Sequence, residues 1–96
     1  MKINTQALAE QDLINIWLYT FTEWGEVQAD KYLDEIEVGL KLITANPDIG
    51  SDYSFIRKGY RRLIIGHHLI FYKHDNENNI DIIRVLHENM DIQEYL

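Results

Sequence analysis

The spacing of apolar positions changes character midway along the chain. In the first half Ile14, Trp17, Phe21 and Trp24 recur at intervals of three, four and three, which marks one face of a helix. Ala9, Leu13 and Ile16 widen that face. The helix begins near Ala7, with Asn4 or Thr5 ending a short first strand and capping it. On this reading Trp17 and Trp24 point into the core. Gly25 suits the left-handed position that ends a helix. A second stripe, Ala29, Leu33, Ile36, Leu40 and Ile43, follows almost at once, so the two helices form an antiparallel hairpin. Ala29 and Gly39 are small enough to let the partner helix approach, and Pro47 stops the second helix after Asn46.

Residues 48–59 are rich in turn formers and read as a loop with a short extended piece. From Tyr60 onward the pattern is strand-like, over 61–65, 69–73 and 80–87. Gly66-His67 forms a tight turn and residues 75–79 a longer one, which makes an antiparallel meander. The order is β-α-α-β-β-β in one α+β domain spanning 1–96, with the helical hairpin packed on one face of an antiparallel sheet.

Charge sharpens this picture. The net charge is −7, and residues 1–56 carry all of it, with three lysines against ten acidic residues. Residues 57–74 hold Arg57, Lys58, Arg61, Arg62, Lys73 and three histidines but no acid. An acidic chain with one basic segment is poorly suited to nucleic acid, where many cation–phosphate contacts are needed. Such a segment fits an acidic protein patch, or is simply a solvated surface. Cysteine is absent, which excludes disulfides, a thiolate nucleophile and cysteine-ligated zinc. No signal-peptide pattern opens the chain and no apolar run is long enough to span a bilayer, so a cytoplasmic location is expected.

Catalytic patterns are few. No glycine-rich phosphate loop is present, Ser51 and Ser54 lack an activating context, and adjacent His67 and His68 point to opposite faces of a strand. His74 beside Asp75 reads as surface loop rather than metal site. No cofactor and no metal are implied. The segment Ile82-Ile83-Arg84-Val85-Leu86-His87 places a charge and a histidine in an apolar strand, where each needs a partner. A nuclease would use Arg84 on phosphate and His87 on a proton, but alternation sends these side chains to opposite faces, and no bulge is visible to reunite them. The plainer reading gives Arg84 either a structural ion pair or a binding partner, and His87 a strand-ending hydrogen bond.

Arg84-Val85-Leu86-His87 followed by Met90-Asp91 resembles the closing motif of ParE-type toxins in the RelE/ParE superfamily of bacterial toxin–antitoxin modules. Ala9 with Asp12-Leu13 and Ile16 resembles that family's first helix, and Ala29 with Tyr32-Leu33 its second. Pro47 and Gly50, Gly59-Tyr60-Arg61, and His68 through Tyr72 match in the same order. No single match is specific; their common register over nearly the whole chain is.

The resemblance implies a non-catalytic toxin that traps DNA gyrase, neutralised by a ParD-like antitoxin, without direct nucleic-acid binding and without a membrane. The RelE-type alternative is a ribosome-dependent mRNA endonuclease, for which Arg61, Arg62, Arg84, His87 and Tyr95 are the candidates. A structural or chaperone-like partner domain is a third reading. For the gyrase reading, Arg61, Arg84, His87, Met90 and Tyr95 are expected at the target surface, the last three in a tail beyond the sheet. Leu8, Leu18, Tyr19 and Arg62 are expected to meet the antitoxin. Deleting 88–96 should then remove toxicity and spare antitoxin binding.

Overall fold

The computed structural model describes residues 2–75, 77 and 79–96. Strand β1 (Lys2–Thr5) leads into helices α1 (Ala7–Trp24) and α2 (Glu26–Ala45). Four strands follow, β2 (Ser51–Asp52), β3 (Tyr60–Ile65), β4 (His68–His74) and β5 (Asn79–His87), and a short helix α3 (Ile92–Tyr95) closes the chain. The α+β class, the helical hairpin and the β3-β4-β5 meander are as the sequence pattern predicts. The sheet order is β1-β5-β4-β3-β2, and β1 runs parallel to β5, so the sheet is mixed rather than wholly antiparallel. The helical hairpin lies between β1 and the remaining strands in the chain, which frees β1 to join the far edge in either direction.

Gly25 is the whole connection between the helices. Its φ of 93° and ψ of 175° belong to a region that only glycine occupies comfortably, and its N–H donates to the Phe21 carbonyl. At the other end of α2, the buried Tyr72 hydroxyl donates to the Pro47 carbonyl at 2.6 Å and accepts from the Gly50 N–H at 2.9 Å. That pins the chain reversal into β2. The 75–79 turn includes Asn76 and Asn78, which lie outside the described residues; the Asp75 carboxylate accepts from the N–H groups of Glu77 and Asn79.

The core faces the two helices. Ile36 and Ile43 of α2 meet Ile70, Tyr72, Ile80, Ile82 and Val85, and the α2 stripe is buried as its spacing predicts. Gly39 approaches the sheet rather than α1: a methyl there would stand 2.8 Å from Ile70 Cδ1. Helix α1 departs from expectation. Its buried residues are Ala9, Asp12 and Thr20, with Leu13 and Ile16 partly covered, whereas Ile14, Phe21 and Trp24 face solvent. The true inward face lies one residue back, about 100° around the helix. Trp24, 72% exposed, is not a core residue.

A second cluster occupies the other face of the sheet. Leu69, Phe71 and Leu86 are covered there by Tyr53, Met90, Ile92 and Leu96. The C-terminal segment therefore folds back as part of the structure.

Candidate functional site

Beyond the Thr5–Ile82 pair β1 ends, and the outer edge of β5 faces α1 instead. An unpaired strand edge leaves donors that need partners. Asp12 supplies one: its carboxylate accepts from the Val85 N–H at 2.9 Å and from Arg84 Nη2 and Nε at 2.7 and 2.8 Å. Both side chains are largely buried. Arg84 Nη1 also donates to the Tyr95 carbonyl at 3.1 Å, and the guanidinium stands 5.6 Å from the Tyr95 ring centre. Donating its hydrogen bonds to the Asp12 carboxylate raises the Arg84 pKa further above its ordinary value. This planar two-point pairing ties the first helix, the last strand and the final turn together.

The register of β4 on β5 slips here. Phe71 pairs with Arg84 and Tyr72 with Ile82, which leaves Ile83 as an extra residue. The irregularity lets Ile80, Ile82 and Val85 all face the helices despite their uneven spacing. It lies before Arg84, so Arg84 and His87 still leave the strand on alternate faces. Both nonetheless border one groove of about 830 Å³, together with Asp12, Tyr19, Trp24, Tyr32, Met90 and Tyr95.

Histidines line the opposite end of this groove. His67 Nδ1 lies 2.8 Å from Glu88 Oε1, and the His67 and His87 rings are stacked at 6.3 Å. His68 packs edge-on against Tyr32 at 5.2 Å and His87 at 5.5 Å. Its buried Nδ1 has no hydrogen-bond partner among the described residues. Burial, then the neighbouring His87 and His67, push the His68 pKa down to about 4. Among the described residues no three His, Cys, Asp or Glu side chains are arranged to hold a metal, and no helix is long and apolar enough to cross a membrane.

The sequence-derived sites separate into four places, and Tyr19 of α1 also borders the groove. Arg84, His87, Met90 and Tyr95 share the groove. Arg61 lies apart on β3, where its guanidinium donates to the Gly50 carbonyl at 2.8 Å and pairs with Asp48. Arg62 also lies apart from Leu8, Leu18 and Tyr19. It sits on the face away from the helices, donating to the Tyr53 hydroxyl at 2.9 Å with its guanidinium 4.6 Å from that ring centre.

Leu8, Leu18 and Tyr19 are exposed on α1, and the stripe expected to be core joins them. Leu13, Ile14, Trp17, Leu18 and Leu33 line a shallow apolar trough of about 370 Å³ between the helices. Trp17 and Phe21 stack at 5.1 Å beside it, and Trp17 Nε1 donates to Asp30. The sequence signalled this surface as a stripe of large apolar residues; it did not reveal which way the stripe faces.

A family model described as the ParE toxin of the type II toxin–antitoxin system parDE matches residues 3–92. Toxin ParE1 of Mycobacterium tuberculosis (strain ATCC 25618 / H37Rv) is 42% identical over 88 residues, covering 92% of this chain and 90% of that one. Toxin ParE1 of Caulobacter vibrioides is 36% identical over the same shares, and Toxin ParE of Escherichia coli is 31% identical over 90% of this chain and 84% of that one. A solved structure titled "Chromosomal ParDE TA system from P. aeruginosa" superposes with a TM-score of 0.78 at 19% identity, over 91% of this chain and 95% of that one.

Proposed function

The chain belongs to the ParE toxin family of type II toxin–antitoxin systems, and from that premise we propose that it stops growth by binding DNA gyrase and is neutralised by a ParD-like antitoxin in the bacterial cytoplasm. The observation that carries the antitoxin half is the outward α1 stripe. Ile14, Leu18 and Phe21, with Leu8 and Tyr19, leave on one helix an apolar surface that an isolated soluble domain gains nothing by exposing. An antitoxin segment laid across the hairpin would bury it, with Leu18 and Tyr19 as anchors. Arg62 stands on the other side of the sheet and drops out of this surface.

The groove at the β5 edge, bordered by His87, Met90 and Tyr95, is a candidate for target contact. A binding mode of action fits its chemistry better than RNA cleavage. The nuclease alternative needs arginines free to meet a phosphate. Arg84 is committed to Asp12 and the Tyr95 carbonyl, Arg61 to Gly50 and Asp48, and Arg62 to Tyr53. Arg84 thus acts as a positioning residue for the groove.

Purified gyrase, tested for supercoiling and DNA cleavage with and without the product of the neighbouring reading frame, decides the matter. Trapped cleaved DNA that the neighbour's product prevents is the expected result. Unaffected gyrase together with mRNA cut in a ribosome-dependent assay would transfer the chain to the nuclease reading.

A further inference from the structure

The loop between β2 and β3 has no place in the reading above, yet it carries Phe55, which is 76% exposed. Its ring is held rather than loose. It packs 4.6 Å from Tyr53, whose ring stands edge-on 5.5 Å from the fully buried Phe71. Arg62 clamps Tyr53 from β3 through its hydroxyl and its ring face. The backbone is equally tied. Tyr53 and Ile56 N–H groups donate to the Tyr60 and Tyr53 carbonyls, and Tyr60 N–H donates to Arg57. Asp52 accepts from both the N–H and the hydroxyl of Ser54, which lowers its pKa. A series of tilted and edge-on rings thus runs from the core to a large aromatic presented to solvent.

We propose that this loop is a docking wedge for the toxin's target, with Phe55 entering an apolar pocket rimmed by carboxylates on an acidic protein surface. Arg57 and Lys58, both exposed, follow the ring and outnumber the loop's one carboxylate, Asp52, on a chain whose net charge is −7. That local sign selects an acidic partner. Two exposed cations and one aromatic ring on so acidic a chain provide too little phosphate neutralisation for nucleic acid. The wedge lies away from the surface proposed for the antitoxin, because Tyr53 and Phe71 belong to the cluster on the sheet face opposite the helical hairpin. Prior ordering matters here. A side chain already fixed in its bound conformation loses little entropy on docking, and single aromatic anchors dominate many interfaces.

The inference rests on the toxin reading, and the experiment separates the two. Full-length chain, Phe55→Ala and Arg57→Glu/Lys58→Glu are compared in gyrase supercoiling inhibition, growth arrest, and affinity for the antitoxin of the adjacent gene. Both variants are expected to need about tenfold or more protein for half-inhibition, with antitoxin affinity and urea midpoint unchanged and Phe55→Trp retaining activity. Inhibition within about twofold of the parent chain overturns the wedge, as does parallel loss of antitoxin affinity. If the parent arrests growth but leaves gyrase untouched, the gyrase reading falls; loss of arrest in Phe55→Ala then still supports the wedge, and retained arrest overturns it. A parent chain with neither effect overturns both. Loss of affinity for linear duplex DNA in Phe55→Ala would replace the protein partner with nucleic acid and also overturn the proposal.

Discussion

Replacing Asp12 by alanine removes one carboxylate and leaves two groups stranded. Its three accepted bonds come from Arg84 Nε, Arg84 Nη2 and the Val85 N–H. Without it Arg84 keeps the Tyr95 carbonyl but holds an unpaired charge in a site where its side chain is 14% exposed. Breaking a buried pair by removing one partner costs about 3–5 kcal/mol, and the remaining carbonyl contact argues for the lower end, about 3. A 96-residue chain has a total stability of roughly 5–14 kcal/mol, so this one change removes a large fraction of it. With a urea slope of about 1–1.5 kcal/mol/M, the circular-dichroism midpoint should fall by about 2–3 M. Asp12→Asn, which keeps an acceptor, should fall about half as far. Adding Arg84→Met to Asp12→Ala should recover about 1 kcal/mol or more relative to the sum of the single changes, because the stranded charge is gone. A midpoint shift for Asp12→Ala below about 0.5 M would refute the assignment of this pair as the tie between helix and strand.

The remaining predictions are smaller and independent. Unfolded His68 takes a proton near pH 6.5 but the folded ring only near 4, so the unfolded state binds more protons in between. Stability should therefore fall by about 2–3 kcal/mol as pH drops from 6.5 to 4 and then level off, with a flatter profile in His68→Gln. His67, His87, Glu88 and Tyr32 face the same ring, so the comparison is between variants at matched pH. Tyr72→Phe deletes both hydroxyl bonds to the 47–50 turn and should cost about 1–3 kcal/mol, with hydrogen exchange of the Gly50 amide rising in step. Leu18→Glu lies on the exposed stripe and should leave stability within about 0.5 kcal/mol. Antitoxin affinity, measured by calorimetry, should nevertheless fall about tenfold or more.

The fold was legible wherever periodicity and environment agreed. The α2 stripe Ala29, Leu33, Ile36, Leu40 and Ile43 is buried or partly buried as read, and the β3-β4-β5 meander follows its turn residues. Helix α1 misled because its inward face is made of Ala9, Asp12 and Thr20. Those residues look polar or small in sequence, while the bulky residues beside them look like core. Asp12 is inward only because Arg84 and Val85 satisfy it from 72 and 73 residues away, a relation that no local pattern encodes. The ion pair given to Arg84 by the plainer reading of β5 is present; its partner was not identifiable. In sequence, residues 88–96 read as a tail whose deletion separates toxicity from antitoxin binding, unless the tail is structural. Met90, Ile92 and Leu96 instead cover Leu69, Phe71 and Leu86, so truncation there exposes core and point substitutions are the informative test.

The Asp12–Arg84 contact also sets an order in time. Synthesis at about 5–20 residues per second separates the emergence of Asp12 from that of Val85 by roughly 4–15 s. For about the last 2–8 s of it, between Ala45 and Val85, the helical hairpin has been made without its strand, and α1 offers both its faces to whatever is present. If the antitoxin binds the outward stripe, as proposed, one already at hand would meet it before the sheet has closed behind it. Completion of the toxin, by contrast, waits for its last few residues, because Arg84 needs both Asp12 and the Tyr95 carbonyl. A chain cut short near its end is therefore one whose outward α1 stripe is complete and whose β5 groove is not.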